Sequence, residues 1–147
     1  MKLILGIDPG VSGGAATLST DLQIVEYMAF NKSTPADICT WIETFHIASC
    51  YIEAVNSMPG QGVASTFKFG MNFGWWQGVV CALKIPHQRV FPLRWQTYMN
   101  CKTKGNKNVT KSRAQELFPG IKMTHAIADA LLIAEYGRRL MLRENDL

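Results

Sequence analysis

The sequence of 147 residues lacks the features that mark several specialised protein classes. No uncharged apolar run approaches the 18 residues of a membrane-spanning helix, and the five apolar residues near the amino terminus are too few for a secretory signal. The four cysteines are scattered at positions 39, 50, 81 and 101, so no C-x-x-C zinc or redox motif is present. Internal repeats and low-complexity segments are also missing. We therefore expect one cytoplasmic, soluble domain over residues 1–147, with reduced thiols.

Acidic residues are scarce in the middle of the chain. Residues 61–128 contain ten Lys or Arg but only one acid, Glu116, whereas residues 1–60 and 129–147 are both net acidic. The net charge of +4 is therefore concentrated in one basic block. Such a block either attracts a polyanion, with nucleic acid as the leading candidate, or only keeps the surface soluble.

Hydrophobic patterning predicts an α/β fold. Three short strands joined by tight turns indicate an antiparallel meander. The later strands alternate with helices and must add in parallel through right-handed crossovers, which gives a mixed five-stranded sheet flanked by helices. The predicted strands cover residues 2–8, 15–19, 23–30, 50–55 and 87–91. The predicted helices cover residues 33–46, 60–83, 111–118 and 124–142, and a short helical turn covers 94–99. Thr110 is the predicted cap of the helix over 111–118.

Three acids occupy positions where the pattern favours apolar residues. Asp8 ends the first strand, Glu53 lies inside the fourth, and Asp129 lies in the apolar part of the last helix. A buried unpaired carboxylate is costly, so a single such acid usually forms a cap or a salt bridge. With the first strand central and the fourth beside it, Asp8 and Glu53 become neighbours at one end of the sheet. Clustered carboxylates raise one another's pKa unless a cation lies between them, and Mg²⁺ or Mn²⁺ suits such oxygen ligands.

His125 precedes Asp129 by four residues and therefore shares its helix face. It is either an ordinary histidine at a helix start, a fourth ligand, or a base that orients water; as a ligand, it would shift the preference toward Mn²⁺. Two metal ions can activate water and stabilise the leaving oxygen of a phosphodiester, while a basic surface holds the nucleic-acid backbone. The residues alone thus indicate a metal-dependent nuclease.

Gly70, Gly74 and Gly78 recur at four-residue spacing on one face of the long predicted helix. A face without side chains lets another backbone approach closely. The glycines therefore either pack against the sheet or form a seam with the same helix of a second subunit.

The segments Gly6-Ile7-Asp8-Pro9-Gly10, Ile52-Glu53 and Ala128-Asp129-Ala130-Leu131 resemble RuvC-type Holliday junction resolvases. The resemblance spans about residues 3–139. It implies an RNase H-like fold, a homodimer, and paired nicks in strands of like polarity across a four-way DNA junction, leaving 5′-phosphate and 3′-hydroxyl ends. It also implies two Mg²⁺ or Mn²⁺ ions in each active site.

Further segments are similar to the phage and prophage branch of that family, namely Met58-Pro59-Gly60-Gln61-Gly62, Leu117-Phe118-Pro119-Gly120 and Ala128 to Gly137. This similarity implies an enzyme acting in the cytoplasm of a bacterial host. Cellular members carry the remaining ligand three residues before the last acid, where this chain has Ala126. The four-residue spacing of His125 is that of the phage branch, in which an acid is usual.

Position by position, the resemblance assigns metal binding to Asp8, Glu53, Asp129 and His125, and it places Lys111 near the scissile phosphate. A second basic position of the family falls on Gln96, and the aromatic wedge of some members falls on Asn56. The dimer seam falls on the three glycines. The expected DNA-binding residues are Met58, Gln61, Lys68, Arg94, Gln96, Lys102, Lys104, Lys107, Lys111 and Arg113.

Other functions fit less of the sequence. An actin-like ATP-binding domain shares the opening strand and its Asp-x-Gly turn, but it needs two lobes, for which 147 residues are too few. A non-catalytic junction-binding protein would not need the three acids. A branched-DNA nuclease with relaxed specificity, which cuts forks and flaps as well as junctions, remains an alternative that the sequence does not separate from a strict resolvase.

Overall fold

The computed structural model describes residues 1–54 and 56–146. Within these residues, a five-stranded sheet has the order β3-β2-β1-β4-β5 and is flanked by helices, which confirms the predicted fold class. The strands are β1 (Leu3–Asp8), β2 (Gly14–Ser19), β3 (Val25–Ala29), β4 (Ile47–Glu53) and β5 (His87–Val90). The helices are α1 (Pro35–Glu43), α2 (Val63–Ala82), α3 (Pro92–Tyr98), α4 (Asn108–Leu117) and α5 (His125–Asn145).

Strand β1 lies at the centre of the sheet, as predicted. It pairs antiparallel with β2, which pairs antiparallel with β3, and it pairs in parallel with β4 on its other side. Strand β5 continues the parallel half. Because Ile7 is the partner of Ile52 in the parallel pair, the next residues along the two strands, Asp8 and Glu53, emerge at the same end of the sheet.

The sheet separates two apolar cores because successive strand side chains point to opposite faces. Ile4 of β1 packs with Leu131 and other residues of α5 on one face. Leu5 and Ile7 pack on the other face with residues of α1 and α2, including Trp76. The strands and the helix that carry the three acids are therefore fixed by apolar packing on the two faces of the sheet.

Helix α5 lies directly on the backbone of β1. A Cβ atom added to Gly6 would overlap the backbone nitrogen of Ala134 and the carbonyl oxygen of Ala130. Only glycine leaves room for this approach. The helix that carries Asp129 is therefore held at a short, fixed distance from the strand that ends in Asp8.

The start of α1 forms as the sequence predicts. Thr34 caps the helix by accepting a hydrogen bond from the Asp37 backbone nitrogen at 3.2 Å, and its own nitrogen donates to the Asp37 carboxylate at 2.8 Å. The helix ends at Glu43, three residues earlier than predicted, because the buried Ile47 already begins β4. Among the described residues, no helix combines the length and hydrophobicity needed to cross a membrane.

The three glycines of α2 face away from the rest of the described chain. Apart from the neighbouring backbone of α2 itself, no described atom lies within 4 Å of a Cβ atom built at Gly70, Gly74 or Gly78. Packing against the sheet, one of the two interpretations of these glycines, is therefore ruled out within the described residues. Val63 and Phe67 share this face and are 88% and 67% exposed.

Candidate active site

The carboxylates of Asp8, Glu53 and Asp129 influence one another electrostatically. Asp8 ends β1, Glu53 ends β4, and Asp129 lies one turn inside α5. Burial raises the pKa of Asp8 well above its usual range, and the charges of Glu53 and Asp129 raise it further. These mutual effects place the three acids in one cluster at the end of the two central parallel strands.

Glu53 is held by a buried tryptophan. The indole Nε1 of Trp95, a fully buried residue of α3, donates to Glu53 Oε2 at 2.7 Å. Burial raises the pKa of Glu53 from 4.5 to about 7; the Trp95 hydrogen bond opposes this rise, and the charge of Asp129 adds to it. Trp95 therefore fixes the position of this carboxylate and favours its ionised form.

Asp129 lies close to a threonine of a neighbouring helix. Burial raises the pKa of Asp129, whereas the nearby Thr110 hydroxyl lowers it. Thr110 does not cap α4 as predicted, since the helix already begins at Asn108. Its hydroxyl donates to the Lys107 carbonyl oxygen at 3.3 Å. Helix α4 thus brings a polar side chain close to the cluster.

Lys107 supplies positive charge at the cluster. Its charge lowers the pKa of both Asp8 and Asp129, while Lys111, one helical turn further along, has no such effect on the three acids. The sequence predicts only DNA binding for Lys107 and places Lys111, not Lys107, near the scissile phosphate. The structure places Lys107 close enough to influence two of the three carboxylates.

His125 is the first residue of α5 and is exposed. Its charge lowers the pKa of Asp129, which agrees with the predicted sharing of one helix face. The imidazole therefore lies at the solvent side of the cluster, where it can reach a bound ligand.

The donor set suits a hard divalent cation. In the described ranges, no three His, Cys, Asp or Glu side chains are grouped closely enough to form a ready set of metal ligands. Glu53 instead accepts a hydrogen bond from Trp95. All three carboxylates are desolvated, and the charge of Asp129 raises the pKa of both Asp8 and Glu53. A cation bound by their oxygens would remove this repulsion.

Most residues predicted to bind DNA lie on exposed surface. Three of them have structural contacts: Gln61 accepts a hydrogen bond from the Met58 nitrogen at 3.2 Å, and Gln96 accepts one from the Thr103 nitrogen at 3.4 Å. Arg113 donates to the Met99 carbonyl and pairs with Glu116 at 2.7 Å, which restricts it as a DNA contact. The exposed residues are Met58, Lys68, Arg94, Lys102, Lys104 and Lys107.

Sequence reasoning missed three residues that shape the site. Trp95 and Thr110 carry no signal in the sequence, because a buried tryptophan and a helical threonine are ordinary core residues. Asn72 does carry one, since it is a polar residue within an apolar stretch of α2. Its Oδ1 accepts a hydrogen bond at 2.7 Å from the nitrogen of Gly10, which has φ of 112° in the turn after Asp8.

Comparison with known proteins identifies the fold. No family model matches the sequence, and no curated protein is similar to it. The structure of Thermus thermophilus RuvC in complex with a Holliday junction substrate matches with a TM-score of 0.69 and 17% identity, over 97% of this chain and 96% of that one. T. thermophilus RuvC in another structure matches with the same TM-score and identity, over 96% of each chain.

A third match is the yeast mitochondrial Holliday junction resolvase Ydc2, with a TM-score of 0.55 and 16% identity, over 97% of this chain and 82% of that one. The fold that the sequence resemblance implied is thus confirmed, although identity is low throughout. The chain has the RNase H-like fold of the RuvC-type Holliday junction resolvases.

Proposed function

We propose that this protein is a metal-dependent endonuclease that resolves four-way DNA junctions. It would cut two strands of like polarity and leave 5′-phosphate and 3′-hydroxyl ends, in the cytoplasm of a bacterial host and from a phage or prophage genome. The observation that carries the proposal is the cluster of Asp8, Glu53 and Asp129 at the end of β1 and β4. The fold supports it, because a neighbour with this fold is a RuvC in complex with a Holliday junction substrate.

The cluster of three acids destabilises the folded protein when all three carboxylates are ionised. Each carboxylate is desolvated, and the pKa of each is raised. We infer that Asp8, Glu53 and Asp129 hold two Mg²⁺ or Mn²⁺ ions, with His125 as a further ligand. Bound there, such ions would activate a water molecule and stabilise the leaving oxygen of a phosphodiester.

The other side chains of the site have distinct tasks in this proposal. Trp95 holds Glu53 in place before DNA arrives, so little reorganisation of this carboxylate is needed on binding, and the Thr110 hydroxyl lies close to Asp129. Lys107 brings positive charge to the cluster and attracts the phosphate that is to be cut. Lys111 lies one turn along α4 and contacts the phosphate from the same side.

The basic loop between α3 and α4 binds the DNA backbone. Lys102 and Lys104 are exposed in this loop, and Arg94 is exposed on α3. Contacts of this kind add affinity that falls with salt concentration and carry no base sequence information. The loop therefore positions a junction without choosing where it is cut.

Resolution of a junction needs two coordinated cuts, and a homodimer supplies two sites. The exposed glycine face of α2 with the neighbouring Val63 and Phe67 suits a close contact with a second copy. Gly74→Leu should then convert a dimer into monomers in sedimentation at low micromolar concentration. Leu at Gly120, an exposed glycine outside this face, is the matched control.

The decisive experiment compares labelled four-way, forked and linear DNA in Mg²⁺, in Mn²⁺ and with a chelator. We expect paired cuts in opposite arms of the four-way junction, products that a ligase reseals, and no cleavage with the chelator. Equal cleavage of forks would instead favour the relaxed branched-DNA nuclease. Junction binding without cleavage in either metal would refute the enzyme and favour a non-catalytic binding protein.

A further inference from the structure

A cavity opens beside the turn that follows Asp8. It has a volume of about 540 Å³ and lies between α2, the start of α1 and the turn from β1 to β2. Its aromatic walls are Phe30, Trp75 and Trp76. This volume is in the range of pockets that bind small organic groups.

The polar groups that line the cavity indicate the chemistry of its occupant. Among the described lining residues, Lys68 is the only charged one, so the cavity favours a ligand attached to an anion.

The cavity is directly connected to the proposed active site. Gly10 and Asn72 both line it, and the hydrogen bond between them fixes the turn two residues after Asp8. The Asn72 oxygen is used in this bond, which leaves the amide NH₂ as a donor toward an occupant. An occupant of the cavity would therefore contact the turn that positions the first acid.

We propose that this cavity binds an unstacked nucleobase of the DNA substrate, next to the strand that is cut. This inference rests on the proposed junction cleavage and adds a subsite that selects the cut position. The base stacks on Trp75, an acceptor atom of the base meets the amide of Asn72, and its phosphate meets Lys68. Bases at a branch point have already lost a stacking neighbour, so moving one into the cavity costs little.

The test combines abasic sites in the DNA with a variant of the cavity wall. A four-way junction receives one abasic site at a time, at each nucleotide near the mapped cut, and its affinity for the protein is measured. For the wild-type protein, we expect one position to lower affinity about tenfold, the loss typical of one base–aromatic stack. Trp75→Leu should bind the intact junction about tenfold more weakly and lose no further affinity at that abasic position.

Two variants keep the result interpretable. Trp41→Leu changes a tryptophan of similar burial outside the cavity, and it should retain the full abasic effect. Met71→Trp fills the cavity from an exposed position of α2, and it should remove the abasic effect without exchanging a core residue, should Trp75→Leu fold poorly. The preference for bases at the cut should relax in Trp75→Leu and Met71→Trp alike.

Several outcomes would overturn the inference. An abasic profile that is the same in Trp75→Leu and in the wild type would show that no base enters the cavity. Dissociation of the dimer by Trp75→Leu, with an unchanged abasic profile, would assign the cavity to a side chain of a second copy. Failure of the wild-type protein and of Trp41→Leu to bind any branched DNA would instead refute the proposed function itself, and with it this subsite.

Discussion

Helix α5 carries the buried Glu135 and the half-buried Asp129 only six residues apart, and the surroundings of the two acids are opposite. Glu135 is 3% exposed and is neutralised by two arginines, Arg138 at 2.6 Å and Arg139 at 2.7 Å. Arg138 also donates to the Thr20 carbonyl oxygen at 2.8 Å, which ties the helix to the end of β2. Asp129, in contrast, lies near two other carboxylates, and its own pKa is raised.

The difference separates an acid that stabilises the fold from an acid for which we propose a role in ligand binding. A buried carboxylate with matched arginines is neutralised within the chain, so the chain itself accounts for it. A desolvated carboxylate near other carboxylates has no such neutralising partner and is stabilised when a cation binds.

Asp8→Asn should lower junction cleavage more than about 100-fold, because it removes a central oxygen ligand of the proposed metal site. Junction binding should change less than about twofold, since the basic loop is untouched. The melting temperature should not fall, because the change relieves repulsion with Glu53 and Asp129. Cleavage rates, gel-shift affinity and thermal unfolding measure the three effects, with Asp146→Asn at an exposed position as the control. Full cleavage by Asp8→Asn would refute the metal site.

Glu135→Ala should show the reverse pattern. Removing the carboxylate leaves two arginines without their partner, and the free energy of unfolding should fall by about 3–5 kcal/mol. Cleavage per folded molecule should be retained, as measured below the lowered melting temperature. The matched control is Glu116→Ala, which breaks the exposed pair with Arg113 and should cost at most about 1 kcal/mol. A similar loss in both variants would contradict the structural role of Glu135.

The pH dependence of stability should also report on the acid cluster, through Glu53. Because the folded state raises the pKa of Glu53 from 4.5 to about 7, folding favours its protonated form. In a chelator, the free energy of unfolding should therefore decrease as the pH rises from about 4.5 to about 7, by at most about 3 kcal/mol. Glu53→Gln should flatten this decrease, and added Mn²⁺ should restore stability at pH 8. Stability that rises with pH over this interval would contradict the raised pKa.

Trp95→Phe should produce the smallest of these effects. Loss of the hydrogen bond to Glu53 should raise the pKa of this carboxyl further, so the stability decrease in a chelator should extend to higher pH. The affinity for Mn²⁺, measured by calorimetry, should fall about tenfold, because the ligand is no longer oriented. Trp76→Phe is the control: that tryptophan is equally buried but does not contact Glu53, so the pH profile and the affinity for Mn²⁺ should stay as in the wild type. Equal pH profiles in the two variants would remove Trp95 from the site.

The sequence was most informative where local rules apply. The cap of α1 at Thr34 follows from a hydroxyl, a proline and an acid within four residues. The neighbouring positions of Asp8 and Glu53 follow from two apolar strands and the rule that connects parallel strands. Each of these features depends on a few adjacent residues or on topology, and both are visible without coordinates.

The contacts that organise the site depend instead on side chains from distant segments. Trp95 is 42 residues from Glu53, and Thr110 reaches Asp129 only because α4 packs beside α5. Lys107 was expected in a loop that binds DNA, and the structure also brings it to the acids because α4 begins at Asn108. No local pattern distinguishes these residues from an ordinary core tryptophan, a helical threonine or a surface lysine.

Because Gly6 has no side chain, the distance between the acids would change if this residue carried even one methyl group. With alanine at this position, helix α5 would have to rise from β1, because the added carbon would overlap the backbone at Ala130 and Ala134. Asp129 would then move away from Asp8, although every charged and polar group of the site would still be present. The proposed activity would then be lost through a change in backbone spacing alone, without the loss of any of the side chains of the site.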